Sequence, residues 1–121
     1  MKFAGALPVM PPLAPMLAKG GSRVPDEDGW IHEPKWDGFR AVIFRDGEHL
    51  AVQSRSQKPL LRYFPELRPM LIQALPERCV VDGELVIQRG GGLDFGALQL
   101  RLHPAQSRIE LLAGEIPAEV I

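Results

Sequence analysis

Cysteine, long apolar runs and an excess of charge are what this sequence of 121 residues has least of. The single Cys79 excludes an internal disulfide, and the three histidines are too dispersed to suggest a zinc cluster with it. Next to two valines, Cys79 is expected to be a small buried apolar residue. No stretch approaches the ~18 apolar residues of a membrane span, and the proline-rich N-terminus makes a poor signal peptide. We therefore expect a cytoplasmic protein with no membrane partner.

Charge is nearly balanced over the whole chain, at −1, which gives no global argument for nucleic-acid binding. Between Lys35 and Arg62, however, six basic residues stand against three acidic ones, a surplus of three. This local surplus is typical of a solvated face or of a surface that weakly attracts phosphate.

The composition, 45% apolar and 24% charged, predicts one small soluble domain. Residues 1–28 are rich in proline and glycine, and we expect an irregular arm with at most a helical turn near Met16. The regular pattern of the folded part occupies residues 29–121.

Alternating apolar residues in 39–44, then Asp46-Gly47, then an extended run at 49–54 predict a β-hairpin. A loop is expected at 55–62, an amphipathic helix at 64–75 and a largely buried strand at 79–87. The glycines at 90–92 end that strand, and further helices are expected after the N-cap Asp94 and at 104–113. Residues 117–121 have the pattern of a beginning strand. The order predicts an α+β domain with a mainly antiparallel sheet.

Lys35 lies in the segment HEPKWDGFR, between Pro34, which stiffens the chain, and Gly38, which permits a tight turn or close approach to a ligand. A lysine attacks only as the free amine, so a nucleophilic lysine needs desolvation or nearby cations and a fixed backbone. The segment fits that description, but taken alone it favours an ordinary surface lysine beside a turn.

Glu84 lies in the apolar run VVDGELV, where a carboxylate must be paired, bind a metal or accept a hydrogen bond from a ligand. A salt bridge on a strand that opens to solvent is the alternative. Arg55, in a loop after a strand, is suited to bidentate phosphate contact.

Four segments in order resemble the nucleotidyl-transfer motifs of ATP-dependent DNA ligases. Lys35 to Arg40 matches K-x-D-G-x-R, and the next three motifs are similar to Ser54-Arg55, Asp82-Gly83-Glu84 and the stretch F-x-x-L-Q-x-R at 95–101. The resemblance runs from about Pro11, in PPLAPMLAK, to about Ala113, and is closest to the small bacterial ATP-dependent ligases.

The resemblance implies the fold of the nucleotidyltransferase domain shared by DNA ligases and mRNA capping enzymes, here its N-terminal part. It implies that Lys35 is the catalytic nucleophile, which attacks the α-phosphate of ATP and passes AMP to the 5′-phosphate of nicked double-stranded DNA. By motif position, Glu33, Arg40, Glu84 and Phe95 would bind the nucleotide, with Phe95 against the adenine. Arg55 would bind phosphate or DNA, and Glu84 would also be a possible ligand of Mg²⁺ or Mn²⁺. A core aromatic is the alternative for Phe95.

Two further segments of the family pattern, E-G-x-x-x-K and a K-x-K pair, have no match, since there is no Glu-Gly pair and the last lysine is Lys58. The oligonucleotide-binding domain that usually follows is not matched either. We therefore expect roughly the first half of an adenylation domain, nearly inactive alone, which a second chain or a C-terminal half would complete.

Two other functions stay open at this point. One is an RNA ligase or GTP-using capping enzyme with the same lysine chemistry, which the Gln99-x-Arg101 segment and the PMLAK stretch disfavour. The other is a non-catalytic remnant with residual nucleotide affinity.

Overall fold

A computed structural model describes residues 7–33 and 35–121 of the chain. The predictions made for the first six residues and for Pro34 lie outside these ranges. Residues 7–28 contain neither helix nor strand, and no helical turn forms at Met16.

The regular elements follow one another as two strands, a helix, three strands, two helices and a strand. They are β1 (Phe39–Asp46), β2 (His49–Gln53), α1 (Leu67–Ala74), β3 (Arg78–Val86), β4 (Gln88–Arg89), β5 (Gly92–Leu93), α2 (Phe95–Leu100), α3 (Gln106–Glu115) and β6 (Glu119–Val120). The main sheet has the order β2-β1-β3-β6, with every neighbouring pair antiparallel, and β4 and β5 form a separate hairpin. The predicted α+β class with a mainly antiparallel sheet is confirmed.

The β1–β2 hairpin confirms the turn predicted at Asp46-Gly47. Asp46 pairs with His49, and Gly47 has a φ of 60°, a conformation that glycine adopts without the penalty of a Cβ. The hairpin fixes where β2 ends, and therefore where Ser54 and Arg55 lie.

Helix α1 begins three residues later than the predicted start at Phe64. Residues Leu61–Tyr63 form a 3₁₀ turn, and the amides of Leu67 and Arg68 bond the carbonyls of Phe64 and Pro65 in two tight turns before the α-helix is established. At its other end, Arg45 from β1 donates to the carbonyls of Ile72 and Leu75, so terminal carbonyls of the helix gain partners.

Strand β3 is less buried than its apolar sequence predicted. Only Leu85 and Val86 of its nine residues are buried, and these are the two residues that pair with β6. Cys79 is accordingly half-buried, with its thiol 3.6 Å from the carbonyl oxygen of Pro76. The expectation of a buried Cys79 was therefore wrong.

The two faces of the sheet are covered differently. One face packs on the helices and carries the main core, which includes Ala41, Ile43, Leu50, Val52, Phe64, Leu67, Leu71, Leu85, Leu98, Ile109 and Leu112. The opposite face packs Val42 and Phe44 against Leu7 of the arm. Gln53 tethers the arm there, because its side chain accepts from the amide of Leu13 at 2.9 Å and donates to the carbonyl of the same residue. On this second face the arm leaves the polar end of the sheet open as a cleft.

Candidate active site

A cleft of about 900 Å³ opens where β1 and β3 meet the arm. Five of the six residues predicted to serve the site line it: Glu33, Lys35, Arg40, Arg55 and Glu84. The rest of its lining is Met16, Leu17, Ala18, Trp36, Gly38, Asp82, Gly83 and Ile121. The chain thus brings residues from five separate segments of the sequence to one place.

Lys35 is exposed at the edge of the cleft, four residues before the first residue of β1. The chain turns between Trp36 and Gly38, whose amide bonds the carbonyl of Trp36 at 3.1 Å. A Cβ on Gly38 would collide with the carbonyl oxygen of Leu85 and lie 2.8 Å from Cγ1 of Val86. Only glycine therefore lets the lysine segment approach β3 this closely.

Arg40 is held by Asp82 across the pair of strands. Its Nε donates to Oδ1 of Asp82 at 3.1 Å and its Nη2 to Oδ2 at 2.5 Å, while Nη1 donates to the carbonyl of Met16 in the arm. The hydrogen bond with Asp82 raises the pKa of the Arg40 guanidinium. Asp82 thus fixes the direction of a cation that faces the cleft.

Glu84 is the register partner of Arg40 and is half-buried on β3. Its Oε2 is buried, and among residues 7–33 and 35–121 it has no hydrogen-bond partner. Burial raises the pKa of the Glu84 carboxyl, with a smaller contribution from the charge of Asp82, while Arg40 acts in the opposite direction. The predicted salt-bridge alternative is therefore not what holds Oε2, which remains a buried acceptor without a donor among the described residues.

The main chain of Glu84 is bound on both sides by Ile121. The amide of Glu84 donates to the carbonyl of Ile121 at 2.8 Å, and the amide of Ile121 donates back at 2.9 Å. Gly83 permits this approach, since a Cβ there would lie 2.9 Å from the carbonyl oxygen of Ile121. Both glycines next to the cleft thus allow backbone to come close to backbone.

Arg55 stands on a tight loop beyond β2. Ser54 closes this loop, because its amide donates to the carbonyl of Lys58 at 2.8 Å and its hydroxyl accepts from the amide of Lys58 at 3.0 Å. Gln57 completes the turn with a φ of 65°. The loop presents an exposed guanidinium to the cleft on a short, hydrogen-bonded backbone.

Phe95 does not line this cleft. It is the first residue of α2, where Asp94 caps the helix by accepting from the amide of Ala97 at 2.9 Å, as the sequence predicted. Its ring meets Phe39 edge to face, with 5.5 Å between the ring centroids, and remains 38% exposed. Phe39 lines an adjoining cavity of about 840 Å³ that shares Arg40 and Arg55 with the cleft.

Sequence reasoning missed two groups of residues at the site. Asp82 was quoted within the D-G-E motif but was given no role, although its position two residues from Glu84 on one strand places both on the same face. The segment Met16 to Ala18 was quoted in PPLAPMLAK, and no pattern within it predicted that it would form a wall of the cleft.

The described residues do not form a metal site built from protein ligands alone. No group of three or more His, Cys, Asp or Glu residues is arranged there to hold a metal ion. The unpartnered Oε2 of Glu84 is a single hard oxygen of the type that Mg²⁺ accepts alongside phosphate and water.

No helix in the described part of the chain has the length and apolar character to cross a lipid bilayer.

Comparison with known proteins identifies the family of the chain. The family model described as ATP dependent DNA ligase domain matches residues 15–121. The chain is 52% identical over 115 residues to DNA ligase C2 of Mycolicibacterium smegmatis and to DNA ligase C of Mycobacterium tuberculosis, a match that covers 95% of this chain and 32% of each relative. It is 32% identical over 105 residues to the multifunctional non-homologous end joining protein LigD of Mycolicibacterium smegmatis, covering 85% of this chain and 14% of that protein.

A solved structure of mycobacterial DNA ligase D complexed with ATP and MES is similar in fold, with a TM-score of 0.55 and 26% identity over 73% of this chain and 26% of that one. The chain spans about a third of the length of the DNA ligase C relatives that it matches. It belongs to the ATP-dependent DNA ligase family, as part of the adenylation domain.

Proposed function

We propose that the cleft is one wall of a nucleotide-binding site in which Lys35 becomes adenylated by ATP, and that the complete protein seals nicks in double-stranded DNA. The observation that carries this proposal is that Lys35 lines the same cleft as Glu84, whose buried Oε2 has no hydrogen-bond partner among the described residues. A carboxylate oxygen in that state favours a ligand that supplies a hydroxyl or brings a cation.

In the first step, the free amine of Lys35 attacks the α-phosphorus of ATP. A bond forms between Nζ and phosphorus, the bond from phosphorus to the bridging oxygen of pyrophosphate breaks, and the amine gives up its proton. The AMP then passes to the 5′-phosphate at a nick, which frees the lysine. The neighbouring 3′-hydroxyl attacks that phosphate and expels AMP. The covalent intermediate divides one difficult phosphoester synthesis into easier displacements.

The other residues of the cleft would bind and orient the nucleotide. We assign Arg40, fixed by Asp82, to the ribose and phosphate region, and Glu84 to a ribose hydroxyl or to the metal. We assign Glu33, which lies at the rim, to the edge of the adenine. Phe95 would stack on the adenine face with the part of its ring that Phe39 leaves exposed, an interaction worth ~1–3 kcal/mol.

Magnesium, or manganese in its place, fits the cleft as an ion held mainly by the phosphates, with Glu84 supplying a buried carboxylate oxygen that has no hydrogen-bond partner in the described ranges. When bound, the metal offsets charge on the triphosphate. No further protein ligand is needed for that role.

Nicked duplex DNA is the proposed partner, and Arg55 the residue that contacts its phosphates. Arg55 is exposed on a hydrogen-bonded loop in the stretch with three surplus positive charges. The names of the relatives, ligases and non-homologous end joining proteins, support a role in DNA repair and recombination. We place this role in the cytoplasm.

Nick sealing is tested in a completed domain. Ile121 is joined to the remaining portion of DNA ligase C2 of Mycolicibacterium smegmatis, and the fusion is incubated with a labelled nicked duplex, magnesium, and ATP, GTP or NAD. We expect sealing with ATP alone, none in the matched Lys35→Arg fusion, and nearly none by the 121 residues without the fusion. Sealing that depends on GTP or NAD, or that survives Lys35→Arg, would overturn the proposed function.

A further inference from the structure

We infer that Arg101 and Glu66 form a positioning pair for Glu84, acting through residues 116–121. Neither residue touches the cleft, and the inference rests on the proposed function only for its consequence on nucleotide binding. Its structural part stands on hydrogen bonds that connect three distant segments of the chain.

Arg101 is completely buried just after α2. Its Nη1 and Nη2 donate to the two carboxylate oxygens of Glu66 at 2.5 and 2.7 Å, a bidentate ion pair. Its guanidinium carbon also lies 4.7 Å from the centre of the Phe64 ring. A buried ion pair adds little net stability, because both charges lose their hydration, and we infer that its role here is to fix one arrangement of its surroundings.

Both partners bind the chain that leads into β6. Arg101 donates to the carbonyl of Ile116 at 2.9 Å, and Glu66 accepts from the amide of Ala118 at 2.8 Å. Arg101 also donates to the carbonyl of Tyr63 at 2.9 Å, which fixes the pair to the segment before α1. Residues 116–118 are therefore bound at two points on one ion pair.

The bound segment continues directly into the residues that hold Glu84. Strand β6 pairs Val120 with Leu85, and Ile121 bonds both main-chain groups of Glu84. β6 has only two residues, so little of its own pairing fixes its register. A one-residue slip of β6 would bring a different backbone group against Gly83 and break the two hydrogen bonds by which Ile121 holds the main chain of Glu84.

Glu66→Gln is the sharpest variant, because the amide side chain keeps an acceptor for Ala118 and removes the charge that Arg101 requires. Measured by hydrogen exchange, the amides of Ala118, Glu84 and Ile121 are expected to lose about tenfold in protection, the effect of weakening one charge-assisted hydrogen bond. The amides of the β1–β2 hairpin are expected to keep their protection.

Leu71→Ala, which removes core packing in α1, is the control for a general loss of stability. This variant should not lower protection selectively at the same three amides. Loss of protection across the whole sheet in Glu66→Gln, or no loss at Glu84 and Ile121, overturns the inference.

The wild-type chain gives a second test that needs no variant. In low concentrations of urea, the amides of Ala118, Glu84 and Ile121 should open together, with one shared dependence on urea. If the opening of the Glu84 amide depends on urea clearly differently from that of the Ala118 amide, the inference is overturned. This test stands even if Glu66→Gln does not fold.

Nucleotide binding separates this inference from the proposed function. If the pair acts through Glu84, Glu66→Gln weakens ATP affinity in the fusion with DNA ligase C2, but has little further effect when Glu84→Gln is already present. Equal effects in both backgrounds overturn the positioning role. A different result separates the two claims. If Glu66→Gln loses hydrogen-exchange protection selectively at Glu84 and Ile121, but the wild-type fusion does not bind ATP, the positioning pair is upheld and the proposed function is overturned.

Discussion

Arg40 and Glu84 face each other in the register of β1 and β3, yet the guanidinium of Arg40 binds Asp82 and leaves Oε2 of Glu84 without a hydrogen bond from any described residue. Strands normally place opposite charges of such a pair in contact. Here Asp82, two residues away from Glu84, binds the guanidinium. The charge of Arg40 offsets part of the desolvation of Glu84, but no hydrogen bond from a described residue does so at Oε2. We interpret the unpartnered oxygen of Glu84 as a group that binds a ligand, and the first two predictions follow from this interpretation.

Replacing Glu84 by Gln should leave the free energy of unfolding within about 0.5 kcal/mol of the wild type, or raise it, because the change removes a partly desolvated charge without removing a partner. Adenylation of Lys35 in the completed ligase should fall. Urea unfolding and adduct formation measure the two effects. A large drop in stability with normal adenylation would show that Glu84 serves the fold instead of the nucleotide.

The stability contribution of Glu84 should decrease as pH rises. Burial raises the pKa of its carboxyl in the folded chain, so the folded state holds the proton more tightly than the unfolded state does. Relative to Glu84→Gln, the wild type is then most stable below the ordinary glutamate pKa of ~4.3, and it loses stability as pH rises through the raised value. Unfolding free energies of both proteins from about pH 4 to about pH 7 test this. A wild type that gains stability over the variant across that range contradicts the assignment.

Gly38→Ala should destabilise the chain by about 1–3 kcal/mol, the usual cost of forcing extra volume into packed structure, because its Cβ would meet the backbone of Leu85. Gly114→Ala is the matched control. Nothing lies within 4 Å of a Cβ at Gly114, and its place in α3 favours alanine. Thermal unfolding of both variants should therefore show opposite changes. Equal stability of Gly38→Ala and wild type would mean that the lysine segment does not approach β3 as described.

Arg55→Ala should weaken binding of the completed ligase to nicked duplex DNA without changing stability, because the side chain is exposed. The slope of log affinity against log salt should fall by about one if Arg55 contacts one phosphate. Arg108→Ala, an exposed arginine on α3, is the control of equal charge change. If both variants reduce affinity and slope alike, the effect is one of overall charge and not of the cleft.

Features set by local chemistry could be predicted from the sequence. The turn at Asp46-Gly47 and the cap at Asp94 depend on neighbouring residues, so their patterns were sufficient. Four of the five predicted residues in the cleft belong to motifs whose order along the chain was informative; the fifth, Glu33, lies two residues before Lys35.

Features set by distant contacts could not be predicted in this way. Arg40 and Asp82 are 42 positions apart, and their pairing depends on the register of two strands, which no local pattern specifies. The full burial of Arg101 contradicts the usual preference of arginine for solvent, and it becomes clear only when Glu66 and Ile116 are found beside it. The exposure of β3 likewise depends on how little of its edge β6 covers.

The central claim, that Lys35 is the residue that ATP modifies, is tested most directly by locating the adduct. The chain and its fusion with DNA ligase C2 are incubated with ATP and magnesium, digested, and examined by mass spectrometry under conditions that preserve a phosphoramidate. The account predicts one AMP on the peptide that contains Lys35, and none in Lys35→Arg. An AMP carried by another lysine from the present chain, such as Lys19 or Lys58, an adduct that persists in Lys35→Arg, or no adduct on the fusion would contradict it.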